Sequence, residues 1–175
     1  MAIDETLAFR PLNIAVVTVS DTRTEADDTS GDTLAARIEA AGHLVVHRAI
    51  VRDDADTLVQ YLRERIEDTG TDVVITTGGT GLTGRDVTPE ALERVATKPI
   101  PGFGELFRWM SYASIGTSTI QSRAMAVLAD TTYIFALPGS RGAVTDGWDK
   151  ILATQLDSRY RPCNFVDLMP RLAER

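Results

Sequence analysis

The sequence predicts an α/β domain with a doubly wound, mostly parallel sheet. Three observations predict it. Apolar β-branched runs alternate with amphipathic helical segments, the pattern of strands joined by helical crossovers. The first run, Asn13–Val19, is apolar throughout, as expected of a strand covered on both faces. Polar or glycine-dense loops follow the runs, where such sheets bind ligands.

The elements follow in order. After Asn13–Val19 the chain breaks at Ser20-Asp21-Thr22-Arg23 and runs through an acidic loop to Ser30. Leu34, Ile38 and Ala41 recur at helical spacing, and Gly42 ends that helix. Leu44–Val51 is a second strand. Leu58, Leu62 and Ile66 mark a second helix that closes near Gly70, and Asp72–Thr76 is a third strand. A glycine-dense turn runs from Thr77 to Gly84. The next helix has Thr88 as N-cap and Pro89 at its first helical position. Pro99, Pro101 and Gly102 break the chain before a short apolar helix, Phe103–Tyr112. Ser118 and Gln121 have capping-box spacing and open a further helix through Ala129. Thr132–Leu137 is a fourth strand, ending in Pro138-Gly139-Ser140. Val144, Trp148, Ile151 and Leu152 mark the next helix.

Composition limits the function classes. A chain of 175 residues with 43% apolar content is expected to fold as one domain without a metal or disulfide staple. The net charge of −7 argues against general nucleic-acid binding, which depends on neutralising phosphates. One local loop can still hold a phosphorylated ligand. Cys163 is the single cysteine, so no internal disulfide forms, and the expectation is a small, partly buried thiol. His43 and His47 are too few for the usual Cys/His zinc site. No apolar run is long enough to span a membrane, and the N-terminus does not read as a secretory signal. A cytoplasmic location is the default expectation.

The most informative segment is Thr76–Leu92, TTGGTGLTGRDVTPEAL. Glycines allow backbone N–H groups to approach an anion, and Thr77, Thr80 and Thr83 add hydroxyl donors. A phosphate cradle and an empty tight turn both fit this composition. Gly79, Gly81 and Gly84 match the dinucleotide fingerprint, with Glu105 about 20 residues on. The fit is poor: the loop follows the third strand, and helix signals start only at Thr88. A nicotinamide oxidoreductase is therefore the remotest reading. No Lys follows the glycines, so this is not a P-loop. Asp86 lies just past the glycines and Asp53 follows the second strand. If the sheet places their loops side by side, the two carboxylates could share a magnesium ion with substrate phosphates. The bland alternatives are a helix-start charge for Asp86 and a solvated loop residue for Asp53. Arg85, Arg108, Arg123 and Arg141 flank the same loops and suit either phosphates or solvated faces. The aromatic run from Phe103 to Tyr112 suits a core or an oligomer interface.

Taken together, TTGGTGLTGRDVTPEAL, VTVSDTR with DDTSG, PGFGELFR, GTSTIQSRA and LPGS resemble the MoaB/MogA family of molybdenum cofactor biosynthesis. The resemblance covers about Asn13 to Phe165, with residues 1–12 as an N-terminal extension and 166–175 as a C-terminal tail. DDTSGD, GTSTIQSRA and RPCNF are closer to the MoaB branch. The resemblance implies a three-layer αβα domain and a molybdopterin site. For active members it implies adenylylation of molybdopterin by Mg-ATP with release of pyrophosphate. It makes Asp53 and Asp86 the catalytic pair and magnesium ligands, and Thr77, Gly78, Gly79, Thr80 and Gly81 the phosphate or nucleotide cradle. Ser20, Asp21, Glu105, Pro138, Gly139 and Ser140 would line the pterin pocket. It also implies a homotrimer, or a homohexamer as a dimer of trimers, with contacts to other cofactor-pathway enzymes open. No nucleic-acid or membrane partner is implied. The retained Asp53 and Asp86 favour a working transferase. A molybdopterin carrier without turnover is the second reading, and a scaffold role the third.

Overall fold

A computed structural model of the chain describes residues 2–174. Six strands form one sheet in the order β2-β1-β3-β6-β5-β4. They are β1 (Asn13–Val19), β2 (Leu44–Val51), β3 (Val73–Thr77), β4 (Lys98–Pro99), β5 (Met125–Ala129) and β6 (Thr132–Leu137). β1 pairs in parallel with β2 and β3, and β3 in parallel with β6. β5 runs antiparallel to both β6 and β4.

Helices cover both faces, as the continuous apolar runs require. On one face α1 (Thr29–Ala40), α4 (Pro101–Ile115) and α5 (Arg141–Gly147) pack over Ile14, Val16, Ile75, Phe135 and Leu137. On the other, α2 (Ala55–Glu67) and α3 (Thr88–Val95) pack over Ala15, Val17, Val74 and Ile134. Adjacent strand residues therefore feed opposite cores, as the pleat dictates. α5 continues through a π-turn, Trp148–Leu152, into a last helical turn.

The expected helix through Ala129 does not form. Gly116–Gln121 is a 3-10 turn, and Met125–Ala129 is strand β5. Ala, Met and Leu favour helix locally, but pairing with β6 across the Asp130-Thr131 turn overrides that preference. Asp130 takes the left-handed conformation the turn needs (φ 52). Thr88 is not the N-cap of α3. Val87 holds that position, and the Thr88 hydroxyl is used elsewhere. Cys163 is exposed, not partly buried, because the core contact in its segment passes to buried Asn164 and Val166.

The sheet's edges are protected differently. β4 is two residues long and carries a proline, which limits further pairing. β2 is mostly half-exposed, and its Arg48 ties down the long loop before α1. Asp28 there is fully buried. It caps α1 by accepting from Gly31 N–H, accepts from the Thr18 hydroxyl and pairs with Arg48 at 3.1 Å. No helix among the described residues is long and apolar enough to cross a membrane.

Two predictions concern this framework. Phe135 is fully buried, with the rings of Phe103 and Phe165 at 5.1 and 5.5 Å. Phe135→Ala should cost about 3–5 kcal/mol in urea unfolding. His43 is buried between Phe9 and Trp148, and its Nδ1 accepts from Leu12 N–H at 3.1 Å. Burial lowers its pKa below 6.5, against a smaller opposing effect of the Asp157 carboxylate. The folded state thus prefers neutral imidazole. Its stabilising contribution is complete above the unfolded pKa and is lost as pH falls below about 6.5. His43→Gln keeps an acceptor without the titration. It should show a smaller loss of melting temperature than the parent between pH 7.5 and 5.5.

Candidate active site

β2, β1, β3 and β6 are parallel, so their carboxyl ends share one edge of the sheet. α1 and α2 leave that edge toward opposite faces, which places the topological switch at β1 and β3. The loops following β1, β2, β3 and β6 meet there.

The turn after β3 is the centre of this edge. Gly78 and Gly79 both have positive φ, 105° and 64°. A Cβ on Gly78 would lie 2.4 Å from the Val19 carbonyl oxygen, so only glycine lets the turn cross the end of β1. Gly78 N–H donates to Leu137 O, and the Thr88 hydroxyl donates to Gly78 O. Thr88 N–H also donates to Gly79 O at 3.0 Å. That is where the Thr88 side chain goes: it locks the turn to the start of α3. Thr77 donates to Pro138 O, and Thr80 is buried. The N–H groups of Gly79 and Thr80 make no hydrogen bond among the described residues.

Two cavities flank this turn. The larger, about 530 Å³, is lined by Gly78–Gly81 and Pro138–Ser140, by Phe107 and Ser111 of α4, and by Gln121, Ser122 and Asp146. The smaller, about 230 Å³, is lined by Asp21, Thr22, Asp53, Thr83, Arg85 and Asp86. Gly79 and Asp86 border both.

The three carboxylates of the smaller cavity are differently held. Asp21 and Asp53 clasp each other's backbone: Asp21 N–H donates to Asp53 Oδ2 at 3.0 Å, and Asp53 N–H to Asp21 Oδ1 at 3.3 Å. Partial burial, then the charges of Asp21 and Asp86, raise the Asp53 pKa against the Asp21 hydrogen bond and Arg85. Asp86 is lowered, because its carboxylate accepts from the Thr83 hydroxyl and from Thr83 N–H. The neighbouring Asp54 caps α2 through Thr57 N–H and faces away from this role.

Most of the anticipated residues converge here, and three line neither cavity. Thr77 is fully buried behind the turn. Ser20 uses its hydroxyl oxygen to accept from Thr22 and Arg23 N–H. Glu105 is exposed, six residues before Ser111, on the side of α4 that carries Trp109 and Tyr112. Two flanking arginines are occupied by backbone: Arg108 donates to Ala124 O, and Arg123 to Gly81 O and Asp86 O. Arg85 makes no hydrogen bond or ion pair among the described residues. Ser111, Ser114, Thr119, Gln121 and Asp146 also line the larger cavity, and none of them is marked as a pocket residue by the sequence. Ser111 and Ser114, three apart on one face of α4, are the signal the sequence offers.

A magnesium ion fits the smaller cavity only in part. No group of three His, Cys, Asp or Glu among the described residues is disposed to hold a metal. Asp53 and Asp86 are the two carboxylates a magnesium ion would use, with substrate phosphate oxygens completing its shell.

Known proteins resemble this chain over most of its length. Residues 15–158 match the family described as "Probable molybdopterin binding domain". Molybdenum cofactor biosynthesis protein B of Escherichia coli (strain K12) is 48% identical over 157 residues, 90% of this chain and 92% of that protein. A crystal structure of a molybdenum cofactor biosynthesis protein B superposes with TM-score 0.83 at 42% identity, covering 86% of this chain and 94% of that one. The tungsten cofactor synthesizing protein MoaB from Pyrococcus furiosus gives 0.74 at 37% identity, covering 83% and 93%. The chain belongs to the molybdopterin binding domain family, in company with the molybdenum cofactor biosynthesis B proteins.

Proposed function

We propose that this protein acts in molybdenum cofactor biosynthesis, binding molybdopterin and adenylylating it with Mg-ATP. One observation carries the reading: two cavities of different character meet at a glycine turn, and Asp86 borders both. The larger, with Phe107 beneath and hydroxyl and amide groups around it, suits a flat polar heterocycle such as a pterin. The smaller, acidic one suits a nucleotide phosphate chain that arrives with its cation. Gly79 borders both cavities and Thr80 lines the larger, and their unpartnered N–H groups would hold the phosphates that react.

In this reaction a terminal phosphate oxygen of molybdopterin attacks the α-phosphorus of ATP. The bond from that phosphorus to the bridging oxygen breaks, and pyrophosphate leaves. Such transfer depends on positioning and charge neutralisation more than on covalent work by the protein. Bound magnesium would supply neutralising charge. Thr83 holds Asp86 ionised, and the Asp21 clasp fixes Asp53. Arg85 is free to meet a phosphate.

A carrier that binds molybdopterin without turnover is the second reading. The position of Glu105, exposed and outside both cavities, favours it. Product analysis separates the two. Incubation with molybdopterin and Mg-ATP should yield adenylyl-molybdopterin and pyrophosphate, and excess chelator should abolish both. Asp86→Asn keeps an acceptor for Thr83 and should lower the rate by ~100-fold while pterin affinity stays within a few-fold. Bound pterin with no product from the parent would select the carrier.

α4 also presents Leu106, Trp109 and Tyr112 to solvent, with Ile120 beyond its end. We assign this face to contact between copies of the chain, in a homotrimer or homohexamer. Sedimentation at micromolar concentration should give one of these assemblies, and Trp109→Glu should shift it toward monomer. A monomeric parent would remove the assignment.

A further inference from the structure

We infer that Arg123 is a positioning residue that holds the glycine turn and Asp86 in register between the two cavities. The inference rests on the transferase reading for its kinetic consequence, and on geometry alone for the hold itself. Residues Leu82, Thr83, Gly84 and Arg85 are all exposed, and Gly84 has open space around it. The hydrophobic core therefore does not fix this segment. Its two ends are fixed by one side chain. Arg123 Nε donates to Gly81 O at 2.6 Å, and Nη2 donates to Asp86 O at 2.6 Å. Nη1 pairs with Glu90 on α3, and the Arg123 backbone N–H donates to Thr80 O at 3.0 Å.

The planar guanidinium suits this task. Its fork reaches several acceptors at fixed angles, and an ammonium cannot. Hydrogen bonds from a charged donor are also stronger than neutral ones. A trans peptide points its C=O and N–H in opposite directions. Turning the Thr80 carbonyl toward Arg123 therefore turns the Gly81 N–H away from it, and that N–H helps keep Asp86 ionised. The carboxylate's remaining partners come from Thr83, inside the clamped segment. Residues 121 and 122, next to Arg123, line the larger cavity. Arg123 thus connects the wall of one cavity to the carboxylate that borders both.

Arg123→Lys keeps the charge and loses the fork. Arg123→Ala opens a space that methylguanidinium can enter. Two readouts on the full-length protein test the idea. Amide hydrogen exchange in residues 81–86 should speed up at least tenfold in Arg123→Lys, with β1 and β3 unchanged. In the adenylylation assay, kcat should fall by ~10–100-fold, while KM for molybdopterin changes less than threefold. Millimolar methylguanidinium should recover part of kcat in Arg123→Ala and none in the parent. Unchanged loop exchange in Arg123→Lys overturns the inference, whatever the parent's activity. Equal losses in kcat and pterin affinity, without recovery by methylguanidinium, also overturn it. A parent that makes no adenylyl-molybdopterin refutes the transferase reading instead, and loop exchange alone then decides for or against the hold.

Discussion

The crossing of Gly78 over the last carbonyl of β1 constrains everything else at this edge of the sheet. A Cβ there would lie 2.4 Å from Val19 O, and one on Gly79 would lie 2.4 Å from the Thr88 hydroxyl. The turn is therefore pressed against two elements and hydrogen-bonded to a third through Leu137 O. Gly139 follows the same logic, since a Cβ on it would lie 3.1 Å from the Gly78 Cα. Close backbone approach brings the loops after β1, β3 and β6 within reach of one ligand. It also excludes side chains from the point of contact, leaving backbone N–H groups as the local donors.

Charge is divided to match. Several arginines near the site neutralise the protein's own groups. Arg48 meets buried Asp28, Arg108 meets the Ala124 carbonyl, and Arg123 meets Gly81 and Asp86 carbonyls. The carboxylates of Asp21, Asp53 and Asp86 are left facing the smaller cavity, with Arg85 as the cation lining it. The raised pKa of Asp53 is the local cost of that arrangement. On the proposed function, a cavity lined this way disfavours a bare polyphosphate and favours one that brings its own cation. That is a selectivity argument as much as a catalytic one.

The parts of this structure that were readable from sequence are those set by local rules. Continuous apolar runs marked β1, β3 and β6 because both faces of these strands are covered. Glycines marked the turn because only they fit its φ values. β5 was missed because Met125–Ala129 favours helix in isolation and becomes a strand only when β6 lies alongside. The site divides the same way. Asp53 and Asp86 could be named from their places after strands and from the family resemblance. The far wall of the larger cavity could not, since Ser111, Gln121 and Asp146 come together only when α4 and α5 pack on the same face. Glu105 shows the limit of motif transfer: its neighbour Phe107 points into the cavity, and two residues along a helix is a rotation of about 200°. A motif fixes sequence spacing, while helix phase decides which of its side chains reaches the ligand.

Arg123 is ambiguous in sequence because helix phase offers no guide to it. It lies between the 3-10 turn and β5, where no periodicity predicts direction. An arginine near a phosphate cradle suggests an anion partner on charge alone. Here its acceptors belong to the protein: the Gly81 and Asp86 carbonyl oxygens and the Glu90 carboxylate. A peptide turn that directs N–H groups toward a ligand must direct its carbonyls elsewhere, and those carbonyls need donors when partly buried. The cation that looks suited to the substrate is thus required on the far side of the loop, where it makes the loop's own donors available.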